Sequence, residues 1–227
     1  TYYAWADPKK VLPHLQQKRL RGGRSTNSPF SEFDPGVLRN AKTLPCLRPR
    51  IAFRDVSRAT DTRTVRAALV SGEVFIGNQA PYLLWSRGDV RDEAFLVGVL
   101  SSLPLDWYAR RFVETHVSFF VFNPLPVPRP PTDLPLRRRV VELAGRLASP
   151  DDRFAAWARA VGVPCGALAP DEKNDIIHEL DAAVAHLYGL TEKHLVHIFE
   201  TFHEGWDYEP RLRATLKHFR EWKRRKD

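Results

Sequence analysis

The chain has 227 residues, 43% of them hydrophobic, and a formal net charge of +8. That length and apolar content can bury a real core, as one large domain or two small ones, while the charge favours a polyanionic partner without dictating a fold. No apolar run reaches membrane-spanning length, and the start TYYAWADPKK lacks the basic-then-apolar layout of a signal peptide, so no membrane partner is expected.

Cys46 and Cys165 lie far apart and make no metal-type pair, which suits free thiols in a reducing, cytoplasmic compartment. The absence of Met marks the chain as an expected piece of a longer protein. Residues 1–48 read as irregular. Within them, KRLRGGRSTNSPF sets Lys18, Arg19, Arg21 and Arg24 around Gly22-Gly23, the pattern of a surface loop. Such a loop could lay amides and guanidinium groups against phosphates, or simply be solvated.

From Leu44 the pattern tightens. RIAFRDV alternates in part and predicts a strand; RTVRAALV and EVFIGNQAPYLLW predict two more, separated by Ser71-Gly72. A small antiparallel or mixed sheet with connecting helices follows. Arg54, Arg58, Arg63 and Arg66 are candidate DNA contacts, since arginine suits bidentate bonds to phosphates and guanine edges. The neighbouring Asp55 and Asp61 offer the competing role of internal ion-pair partners.

Phe95, Leu96, Val99, Leu100 and Leu103 recur at helical spacing behind Asp92 and Glu93. Pro104 stops that helix and opens another, in which Asp106 and Arg110 are spaced for a local pair, and Trp107, Arg111 and Phe112 share a face. VSFFVFNPLPVP then predicts a short strand ended by prolines.

Beyond Pro131 everything has helical periodicity. The stripes are Leu136, Val140, Leu143 and Leu147; then Phe154, Trp157, Ala158 and Val161; then Ile176, Leu180, Val184 and Leu187, closed by Gly189. Thr191 caps a helix through Leu195, Ile198, Phe199 and Phe202. The last helix, from near Asp207, carries Leu212, Leu216, Phe219 and Trp222 beside a basic stripe of Arg213, Lys217, Arg220 and Arg224. That stripe is a phosphate-facing edge or a solvated face.

Catalytic patterns fail one by one. Asn123-Pro124-Leu125-Pro126 lacks the aromatic residue with which an amino-methyltransferase loop stacks on its target base, and no glycine-rich loop is present to hold S-adenosylmethionine. His194, His197, Glu200 and His203 step by three, drifting about 60° per step around a helix, which suits packing better than a metal. Asp171-Glu172-Lys173 reads as a helix start, and no nucleophile triad stands out. No catalytic residue, metal or cofactor is therefore assigned to this chain.

The run Phe95 to Ser102, a second helix, an apolar strand and then Leu125-Pro126-Val127-Pro128 resembles the end of a target-recognition domain. Such domains occur in type I specificity subunits and in the C-terminal part of type IIG restriction–modification enzymes. RPRIAFRDVSRATDTRTVRAALV and NQAPYLLW are also similar to the large adenine-specific methyltransferases of that group, some found in phage defence. The resemblance runs over about residues 40–190.

It implies an α+β fold: residues 1–131 as a recognition domain with a small mixed sheet and flanking helices, and residues 132–227 as a helical C-terminal subdomain. It further implies binding of double-stranded DNA, an upstream methyltransferase domain or partner subunit, and S-adenosylmethionine held by that parent. The alternative function is a helical protein–protein assembly module of a defence complex.

Overall fold

A computed structural model describes residues 6–58, 61–202 and 207–225. Among the described residues the protein is helix-rich, 57% helical, with one two-stranded antiparallel sheet.

The first segment departs from expectation. Residues 8–22 form a helix, α1 (Pro8–Gly22), rather than an irregular stretch. Asp7 caps it by accepting from the Lys9 N–H at 2.9 Å, and Pro8 supplies a first-turn residue whose missing N–H costs nothing there. A short helix α2 (Pro35–Arg39), capped by Asp34, packs back on α1.

Strands β1 (Arg50–Phe53) and β2 (Ala67–Val70) pair antiparallel, with Arg50 opposite Val70 and Phe53 opposite Ala67. The expected third strand shrinks to a bridge between Ala52 and Tyr82, flanked by Phe53 N–H to Pro81 C=O and Leu83 N–H to Ile51 C=O, each 2.9 Å. Gly77 weakens the approach to it, and Pro81 has no N–H to extend it. The strand expected around Val117–Phe122 is a second correction. Ser57 N–H to Thr115 C=O and Val117 N–H to Asp55 C=O tie residues 115–117 to the loop after β1, and the chain then turns into one helical turn, α5 (Phe119–Phe122).

The helices follow as α3 (Val90–Leu100), α4 (Leu103–Arg110), α6 (Pro135–Ala148), α7 (Ala155–Val161), α8 (Pro170–Leu187), α9 (Glu192–Phe202) and α10 (Glu209–Arg224). Asp89 and Asp92 form a reciprocal capping box at the start of α3. Helix α6 lies between α3 and α8, and α10 packs on α8 and α9. The α3–α6 approach depends on Gly98, where an added Cβ would stand 2.8 Å from the Ala144 Cβ.

One buried cluster extends from Ile51 and Phe53 through α3, α6 and α8 to Trp222, so residues on both sides of position 131 share a core. Burying each large apolar side chain there contributes about 1.5–3 kcal/mol. Buried acids stitch the layers. Asp181 of α8 accepts the Leu103 N–H at 2.7 Å and so caps α4 from outside, and its other oxygen takes Arg211 at 2.7 Å. No described helix is long and apolar enough to cross a membrane.

Candidate nucleic-acid interface

The loop joining β1 to β2 carries all four arginines that the sequence singles out there, and it is clamped to α4. Asp106, fully buried, accepts from the backbone N–H groups of Thr64 at 3.0 Å and Val65 at 2.6 Å. Arg63 Nε lies 3.2 Å from the same carboxylate, and Arg63 also donates to the Ser101 carbonyl. Arg110 donates to the Thr64 hydroxyl at 2.8 Å, to the Asp61 carbonyl and to the Phe202 carbonyl, and its guanidinium lies 3.8 Å from the Phe202 ring centroid. Burial pushes the Asp106 carboxyl up, against the pull of Arg63 and the two amides. Asp106 and Arg110, spaced for a local pair, both turn to the loop instead.

The clamp leaves three arginines facing outward around a single carboxylate. Arg54 Nη1 and Arg66 Nη2 lie 3.6 and 3.7 Å from Asp61, with side chains 42% and 40% exposed. Arg58 is exposed, and its backbone N–H binds Asp61 at 3.2 Å. That amide, then the neighbouring arginines, hold the Asp61 carboxyl below the usual range. At these lengths and exposures the ion pairs are weak and screened, so the guanidinium groups can exchange Asp61 for an external anion at little cost.

Aromatic side chains are also exposed along α4 and just after it. Past the clamp, the end of α4 exposes Tyr108 and Phe112, 38% and 56% accessible, with ring centroids 5.0 Å apart. The exposed Arg111 has its guanidinium 4.9 Å from the Trp107 ring centroid. Guanidinium groups with flat apolar faces between them suit phosphates, sugars and bases.

The other predicted cations lie elsewhere. Lys18 and Arg21 are exposed on α1 and Arg24 is exposed just beyond it, whereas Arg19 is only 3% accessible. Arg19 donates to Thr43 Oγ1 at 3.0 Å, Gln16 Oε1 at 2.6 Å and the Asn40 carbonyl at 2.7 Å, locking α1 to the segment after α2. Among the described residues, no hydrogen bond or ion pair joins these cations to the loop after β1. Arg63 likewise serves the fold through Asp106. The surface group on the loop is therefore Arg54, Arg58 and Arg66; Arg111 and Phe112, read from the sequence as helix-face residues, are exposed with Tyr108 on and after α4.

No protein-family model, curated protein or solved structure matches the chain.

In the C-terminal stripe, Arg220 pairs with Glu192 at 2.8 Å, while Arg213, Lys217 and Arg224 are exposed. Among the histidines, the His194 ring accepts from the Thr191 N–H at 3.2 Å and His197 packs edge-on against Trp107. His203 lies outside the described residues. The Asn123-Pro124-Leu125-Pro126 exit is held by the Tyr188 hydroxyl, which donates to the Pro126 carbonyl at 2.6 Å.

Proposed function

We propose that this chain is the DNA sequence-recognition module of an adenine-N6 DNA methyltransferase of the type IIG restriction–modification kind. Catalysis and S-adenosylmethionine binding belong, in this reading, to a methyltransferase domain or partner subunit outside the chain. The observation that supports it most is the trio Arg54, Arg58 and Arg66 around Asp61, on a loop held to α4 through Asp106 and Arg110. A segment tied to α4 before binding loses little entropy on contact, so arginines beside it can meet phosphates and base edges cheaply. The sheet-bearing half then supplies recognition, and helices α6 to α10, which share its core, carry the surface that docks the methyltransferase.

Fluorescence anisotropy with duplex DNA across a salt series tests the reading. Each phosphate contact adds about 0.9 to the magnitude of the log–log salt slope. The triple variant R54A/R58A/R66A should bind more weakly and with a shallower slope, whereas R19A should act on stability.

A second reading, a protein assembly module, draws on Phe120, which is 90% exposed on α5 beside the 44% exposed Phe119. Among the described residues, the large exposed apolar side chains all precede residue 121, so such a contact would use this turn rather than the helical half. Substituting Phe120→Asp would abolish it without touching DNA affinity.

A further inference from the structure

The hairpin has two ends, and the arginine loop occupies one. Strands of four residues place the other end about 13 Å away. There the segments flanking β1 and β2, the start of α3 and helix α7 enclose a cleft of about 740 Å³. Its walls include Arg48, Glu73, Trp85, Glu93, Arg153 and Trp157. Its size falls within the range of small-molecule sites.

Three observations mark it as more than a packing gap. Glu93 is 6% exposed, has no ion-pair partner among the described residues, and accepts one hydrogen bond, from Trp157 Nε1 at 2.8 Å. Burial pushes its carboxyl up; with one hydrogen bond accepted, on Oε2, the group has capacity to spare. The Trp85 indole nitrogen is buried with no hydrogen-bond partner. Glu73, at φ 62°, is the single non-glycine residue in the left-handed region among those described, and it follows Gly72, where a Cβ would lie 2.9 Å from the Leu47 carbonyl oxygen. Strain of this kind persists mainly at ligand clamps and functional turns.

A ligand seated in this cleft would meet the Trp85 indole and could give an N–H to the Glu93 carboxylate. We propose that this cleft binds a nucleobase through an amino-bearing edge: adenine, cytosine or guanine. Each carries an N–H donor beside a ring or carbonyl acceptor, whereas uracil and thymine flank one N–H with carbonyls that would face the carboxylate. Arg48 in the same wall, which donates to the Trp85 carbonyl at 3.3 Å, is the cation an attached phosphate would meet. The base is supplied by a free nucleotide or by an unstacked position in a strand. The site does not depend on the DNA reading above, because it lies at the opposite end of the hairpin.

Titration of intrinsic tryptophan fluorescence in the full chain tests it, with AMP, CMP, GMP and UMP in one arm and single-stranded oligonucleotides in the other. Saturable quenching by an amino-bearing nucleotide and none by UMP is expected. Saturation by strands alone would assign the strand as the source. Glu93→Gln keeps an acceptor for Trp157 and turns an amide donor to the ligand, so it should weaken amino-bearing bases by about tenfold or more and shift preference toward UMP. Trp85→Phe should weaken binding while retaining the ring. R54A/R58A/R66A should leave the titration unchanged. No saturable quenching in either arm, or identical base preference in a folded Glu93→Gln, would overturn the proposal.

Discussion

Asp106 shows how one side chain can set the position of a functional loop. Its carboxylate, sealed from water, takes two backbone N–H groups and Arg63, and all three come from the segment that carries the exposed arginines. Removing a buried, hydrogen-bonded charge costs about 3–5 kcal/mol. Asp106→Ala should therefore lower stability by that order in urea denaturation, whereas Arg66→Ala on the surface should change it by less than about 0.5 kcal/mol. Buried Arg19 and exposed Arg21 make a similar contrast two positions apart: R19A should destabilise and R21A should not, as read by thermal melts. Residue type and spacing alone could not separate these roles. Asp106 and Arg110 four apart look like a helix-surface pair, and nothing local shows that each is consumed by a loop more than forty residues earlier.

Elements were legible where their own periodicity decides the structure. The stripes of α6, α8, α9 and α10 point inward as read, because each amphipathic face has a partner helix to bury it. The run FFVF was not legible, since a short apolar stretch fits a strand or a helical turn equally and only the neighbouring chain arbitrates. Helix α1 was obscured by Pro13 and by Gly22-Gly23, although its Asp7-Pro8 start is an ordinary capping signal. The contact most sensitive to one atom group is Gly98 against Ala144. Gly98→Val should cost about 1–3 kcal/mol through overpacking between α3 and α6, measured by denaturant midpoint.

Three buried apolar clusters and several carboxylate–arginine pairs hold the described residues together, so acid sensitivity is a collective property. Burial works to raise the Glu179 carboxyl, yet Arg139 at 2.8 and 2.5 Å and the Trp222 indole bring it below the ordinary 4.5. Arg220 depresses Glu192 in the same way. A depressed carboxyl stabilises fully above its unfolded value and loses that contribution as pH falls through the folded one. Unfolding free energy should therefore decline below pH about 4.5, and Glu179→Gln should flatten that decline.

The central claim concerns the outer face of the same molecule, where Arg54, Arg58 and Arg66 stand ready for a polyanion. Duplex-DNA anisotropy at several salt concentrations, comparing the native chain with R54A/R58A/R66A, tests it most directly. Binding that weakens linearly in log salt, with a slope about two to three smaller in magnitude for the variant, is the predicted result. No duplex binding at low salt, or identical slopes for two equally folded proteins, would contradict it.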